Sequence, residues 1–141
     1  MNHAVIINKM VTDRAMANCN NDSVKAQFKK SGMHLMKRLA VLVGGTEKDV
    51  RYNAGGSAVS GDITLHTECI YVSMNLDSSS SFGFLVRTCN GKKDYTGDRN
   101  NWFQFDTLNY MSNLADMINR MIAEKKAINI MLSNKNTASV I

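Results

Sequence analysis

Apolar residues recur in steps of three and four at both ends of the chain, and in steps of two through its middle. Ala4, Ile7, Met10, Val11 and Ala15 share one helical face, which predicts a short first helix over 3–17. Asn18 to Asp22 reads as a polar turn. Asp22 and Ser23 are natural N-caps, because their side-chain oxygens accept from the free amides of a first helical turn. Val24, Phe28, Gly32, Leu35, Met36, Leu39, Leu42 and Val43 then mark one face of a long helix, 23–43, which Gly44-Gly45 ends. Glycine inside a helix costs about 1 kcal/mol against alanine. So at Gly32 either the helix breaks or another element packs closely on it.

Beyond Gly45 the period becomes two. Ile63 and Leu65 alternate with Asp62, Thr64 and His66, and Ile70, Val72, Met74 and Leu76 alternate with Cys69, Tyr71, Ser73 and Asn75. The apolar parity switches from odd to even between His66 and Cys69, which one straight strand cannot do, so a turn lies near Thr67-Glu68. Phe82, Phe84 and Val86 keep the even parity beyond the loop Ser78–Ser81. Asn90-Gly91 is a strong hairpin signal, since a type I′ turn requires positive φ at both central residues. The expected sheet is a four-stranded antiparallel meander, 61–66, 69–76, 82–89 and 92–97, with Arg51-Tyr52-Asn53 as an optional fifth, edge strand. Its turns pair Leu65 with Ile70, Ile63 with Val72, Met74 with Phe84, Val72 with Val86, Leu76 with Phe82 and Val86 with Tyr95.

Asp106 or Thr107 caps a final helix whose stripe is Leu108, Met111, Leu114, Ala115, Ile118, Met121 and Ile122. Ile128 to Leu132 reads as one more edge strand, and 133–141 as a loose tail. The expected fold is α+β in a single domain, 1–141: N-terminal helices, the meander, and a long C-terminal helix packed on one sheet face.

Composition narrows the functional classes. The 141 residues suit one domain, and no apolar run approaches the roughly 18 residues of a membrane span. Met1-Asn2-His3 shows no secretory leader, and three cysteines without metal spacing fit a reducing, cytoplasmic setting. Seventeen Lys and Arg against twelve Asp and Glu give +5, which favours an anionic partner: nucleic acid, a nucleoprotein complex or an acidic protein. No membrane partner, cofactor or metal is expected. The Gly44-Gly45-Thr46 and Gly55-Gly56-Ser57 runs match no phosphate-loop pattern, and no nucleophile elbow or acid–base pair stands out, so the chain reads as a non-enzymatic binding protein.

The candidate binding residues fall in three groups. Lys92 and Lys93 occupy the expected hairpin tip, followed by Arg99, Asn100, Asn101 and the sole tryptophan, Trp102; cations interleaved with amides and aromatics suit backbone and base contacts. Phe103 and Phe105, by contrast, read as core plugs. Tyr71 and Arg87 share a row on the polar sheet face with Thr64, and with Asp94 opposite Arg87: either a base and phosphate grip or a cross-strand ladder. Lys30, Lys37 and Arg38 form a basic helix face. The same register sets Cys69 opposite Cys89 with His66 beside it, which reads as buried thiols and a structural histidine rather than a zinc site.

The helix–meander–helix order resembles that of double-stranded-RNA-binding domains. The span from Ser23 to Lys126 exceeds that module and its loop motifs are missing, so no residue role is carried over. Two readings follow: binding of nucleic acid or a nucleoprotein through the basic hairpin and loop, or a compact protein inhibitor or adaptor, of the kind phages use against host defences, acting around Trp102.

Overall fold

In the computed structural model, which describes residues 2–12, 22–54, 60–76 and 83–139, the Asn2 side chain caps the first helix, α1 (His3–Thr12), accepting from the Ala4 amide at 2.8 Å. The predicted turn at 18–22 apart from Asp22, which already begins the next helix, the end of the first helix, the Gly55-Gly56-Ser57 and Ser78–Ser81 loops and the Leu76–Phe82 pair rest on residues outside that set. Helix α2 (Asp22–Leu42) buries Phe28, Ser31, Gly32, Leu35, Met36, Leu39 and Ala40. It does not break at Gly32: a Cβ there would collide with Ile63 Cδ1, so the glycine lets the sheet approach the helix. Gly44 ends it with φ +86°, while the Gly45 amide reaches back to Ala40 O at 2.8 Å, closing the last turn.

Five antiparallel strands follow in sheet order β1-β2-β3-β4-β5: β1 (Val50–Asn53), β2 (Asp62–His66), β3 (Ile70–Met74), β4 (Phe84–Thr88) and β5 (Asn101–Phe103). The parity switch is where the alternation puts it. Ile63, Leu65, Ile70, Val72, Met74, Phe84 and Val86 are all buried on one face, and the residues that alternate with them within the strands are half-buried. The β3–β4 pairs Val72↔Val86 and Tyr71↔Arg87 follow the predicted register.

Two pairings differ. Leu65 faces Val72 and Ile63 faces Met74, not Ile70 and Val72. The turn sits one residue later, at Glu68-Cys69, because Thr67 Oγ1 accepts from both the Cys69 and Ile70 amides at 3.1 Å while Thr67 N donates to Ile70 O. A turn shifted by one moves the pairing by two, which leaves apolar opposite apolar, so alternation alone cannot choose between the registers.

The second difference is larger. Residues 92–97 form no strand; the fifth strand is 101–103, and Val86 pairs with Asn101 rather than Tyr95. Asp94 explains it. Its carboxylate accepts from the Asn90 amide (2.9 Å), the Gly97 amide (2.9 Å) and the Thr96 hydroxyl (3.1 Å), gathering 90–97 into a closed loop instead of a ladder. The loop's base is shut where Asp98 N donates to Thr88 O and Thr88 Oγ1 donates to the Asp98 carboxylate.

A 3₁₀ turn (Phe105–Tyr110) leads into α3 (Met111–Ser139). Thr107 does not cap the α-helix; its hydroxyl donates to Gln104 O at 2.7 Å inside that turn. Met111, Leu114, Ala115, Ile118 and Ile122 are buried, and Asn119 ties the helix to Leu42 O. The helix runs on through 128–132, read above as an edge strand, and through 133–139, read as a loose tail. Past Ile122 no described side chain is buried, and Ile128, Ile130, Met131 and Leu132 face solvent. No helix among the described residues is long and apolar enough to cross a membrane. Helices α2 and α3 cover one face of the sheet and leave the other to the 89–100 loop.

Candidate functional site

Strand pairing places two rows of side chains on the face the helices leave open. One row is His66, Tyr71 and Arg87; the other is Arg51, Thr64, Ser73, Leu85 and Trp102, crossing all five strands. Thr64 thus belongs beside Ser73, and His66 takes the place next to Tyr71 that the expected register gave to Thr64.

The first row holds the loop down. The Arg87 guanidinium lies over the Tyr71 ring, 4.6 Å from its centroid, and donates to Tyr95 O and to Asn100 Oδ1. Asp94 makes no ion pair with it; that carboxylate is engaged within the loop. His66 meets the edges of both Tyr71 and Tyr95, each at 5.2 Å, and its Nε2 contacts Gly91 O at 3.1 Å. A carbonyl only accepts, so Nε2 carries the proton there. Gly97, at φ +58°, is pressed against this clamp: a Cβ would sit 2.9 Å from Arg87 Cδ. Arg87 Nε is buried without a hydrogen-bond partner among the described residues, a cost the Tyr71 stack and the two loop contacts offset. Of the two roles open to Tyr71 and Arg87, the geometry matches the ladder, extended into a loop clamp.

The second row is exposed at its two ends, Arg51 and Trp102, and half-buried between them. Trp102 is 47% exposed at the β5 edge, opposite half-buried Leu85. Phe103 and Phe105 point the other way: Phe105 is buried, and Phe103 stacks on Phe84 at 5.9 Å. At the β1 end, Lys48, Asp49, Arg51, His66, Lys92 and Tyr95 surround a recess of about 320 Å³. The Lys92 ammonium, 2.9 Å away, holds the Asp49 carboxyl below its ordinary pKa, with help from the Thr46 amide. Among the described residues Lys48, Arg51, Lys93 and Arg99 make no ion pair.

The loop cations are therefore not one cluster. Lys92 belongs to the recess, whereas Arg99 and Asn101 line a different cleft with Thr88, Met121, Ile128 and Leu132. Asn100 serves the Arg87 clamp, and Asn101 Nδ2 donates to Arg99 O. Lys30, Lys37 and Arg38 sit on α2, in the layer on the far side of the sheet. The sequence reads His66 only as a structural histidine and Tyr95 only as a partner of Val86, and gives Lys48 no role. The sequence places Arg51 only in an optional edge strand; the observed pairing with Thr64 is what puts it on the open face.

Cys69 and Cys89 do face one another, with Cys89 N donating to Cys69 O at 2.9 Å, and both thiols are free. Burial pushes the Cys89 thiol up, and its Sγ approaches Thr67 O. Among the described residues no three His, Cys, Asp or Glu side chains gather as metal ligands. Comparison with known proteins found no matching family model, no similar curated protein and no similar solved structure.

The loop should be acid-sensitive. Amides of Gly97 and Asn90, with smaller help from Thr96, lower the Asp94 pKa to about 2. An unfolded Asp titrates near 3.9, so Asp94 holds the loop fully above that value and releases it as pH falls through about 2. Amide NMR signals of Asn90 and Gly97 are expected to shift together over that window, and Asp94→Asn to loosen them at neutral pH. Unmoved signals in that variant would show that the carboxylate does not hold the loop.

Proposed function

We propose that this protein binds nucleic acid, free or within a nucleoprotein complex, and acts by binding rather than by catalysis. The observation that carries the reading is the open row: five strands present Arg51, two hydroxyl residues, Leu85 and Trp102 on one face, with no helix over it among the described residues. Lys48 lines the recess beside Arg51, Lys93 and Arg99 stand on the 89–100 loop, all three lack ion partners among the described residues, and the whole chain carries +5. An exposed indole supplies stacking that tolerates any base, and cations supply phosphate contacts. A protein partner is the second reading, favoured by the solvent-facing Ile128, Met131 and Leu132 on α3.

Salt separates the two. Filter binding of an oligonucleotide at several salt concentrations should show a steep fall in affinity, because bound phosphates release counterions. Lys93→Glu with Arg99→Glu leaves the Lys92–Asp49 pair intact. That double variant should bind more weakly, with a salt slope lower by about 1.4 on a single strand, at roughly 0.7 per contact. Unchanged affinity would put the protein-partner reading ahead.

A further inference from the structure

We infer that the recess at the β1 edge is a phosphodiester site, and that the nucleic acid it takes is a single strand laid across the sheet along the open row, from Arg51 to Trp102. The inference rests on the nucleic-acid reading above and names the ligand class of that face.

The recess brings Lys48, Arg51, Lys92, the His66 imidazole and Tyr95 around one hollow, against a single carboxylate, Asp49. That carboxylate is already engaged by Lys92 and by the Thr46 amide. Lys48 and Arg51 are left as the two cations with no ion partner among the described residues, so the hollow keeps an excess positive charge. Arginine's planar fork suits two phosphate oxygens at once, and lysine adds a point charge beside it. His66 is fixed by its Nε2 contact to Gly91 O, which leaves Nδ1 as its second ring nitrogen.

The recess and Trp102 lie at opposite ends of one row. Arg51 pairs with Thr64, Thr64 with Ser73, Ser73 with Leu85, and Leu85 with Trp102. Four inter-strand steps of about 4.8 Å separate the ends, roughly 19 Å in all. Between them lie hydroxyls and one leucine, small groups that let a chain lie flat. A duplex buries the π-faces of its bases within its own stack; a single strand offers both its backbone and unstacked bases to such a surface. An exposed indole at one end and a cationic hollow at the other match the single strand.

The test uses the intact protein with an oligothymidine, a duplex of the same length, and inorganic phosphate as probes. The variants are Lys48→Glu with Arg51→Glu, and the milder Lys48→Gln with Arg51→Gln in case the charge-reversed pair fails a thermal melt. The wild type is expected to bind the oligothymidine more tightly than the duplex at equal salt. Either double variant should lose at least tenfold in affinity for it, with the salt slope lower by about 1.4. Phosphate should compete in the wild type and cease to do so in the variants. Equal affinity for duplex, or full oligothymidine affinity in a folded double variant, overturns the recess and the single-strand claim while the nucleic-acid reading stands. Binding to neither probe overturns both.

Discussion

Phe84→Ala is expected to cost about 3–5 kcal/mol of folding stability, the scale for a fully buried aromatic whose cavity cannot collapse. Phe84 is 1% exposed, stacks on Phe103 and meets the Phe105 ring edge-on at 5.7 Å, so truncation removes the contact joining β4, β5 and the turn into α3. Its neighbour Leu85 points to the open face and is only half-buried, so Leu85→Ala should cost well under half as much. Urea unfolding of the two variants measures both. Equal losses would mean that both sheet faces are buried, and the open face would not exist.

That contrast rests on the part of the fold the sequence displays most plainly. Period-two alternation marks the buried face through the strands at 62–66, 70–74 and 84–88, and the Gly44-Gly45 stop and the α2 stripe are equally local signals. What alternation cannot carry is any choice between registers two residues apart. The β2–β3 turn was set by Thr67, whose hydroxyl oxygen takes two amides, and the shift moved His66 rather than Thr64 next to Tyr71. The type I′ hairpin expected at Asn90-Gly91 does not form: the hydrogen-bonded turn is Gly91–Asp94, with Asp94 N donating to Gly91 O, and Gly91 opens it at φ +139°. The strand expected after it failed because Asp94 offered three donors a better acceptor than a ladder would. The candidate site follows from that failure: of the basic residues grouped at the expected hairpin tip, Lys92 lies in a recess at one sheet edge, Arg99 in a cleft beside α3, and Lys93 lines neither. Lys48 carried no signal at all, since a single 3₁₀ turn has no periodicity to place it. The C-terminal helix runs beyond its buried stripe, and its turns through Ile128 to Leu132 are exposed, so no apolar periodicity marks them as helix.

The second large effect is expected at Trp102. On the nucleic-acid reading, Trp102→Ala removes a stacking platform and should cost about 1–3 kcal/mol of affinity for a single strand. It should leave folding within about 1 kcal/mol of wild type, because the indole is 47% exposed and the strand's inward contacts come from Phe103. Isothermal titration with an oligothymidine, beside a thermal melt, separates the two quantities. Large unfolding with unchanged specific affinity would make Trp102 a structural residue and remove it from the interface.

Because Trp102 is the only tryptophan, its own emission reports on the proposed face directly. The decisive measurement is a fluorescence titration of the unmodified protein with an oligothymidine at low and at physiological salt. Binding across the open row predicts saturable quenching at low salt, as bases stack on the indole, and a marked rise in the apparent Kd at the higher salt. Emission that stays constant at low salt, up to oligonucleotide concentrations near 10⁻⁴ M where even non-specific binders respond, would contradict the account.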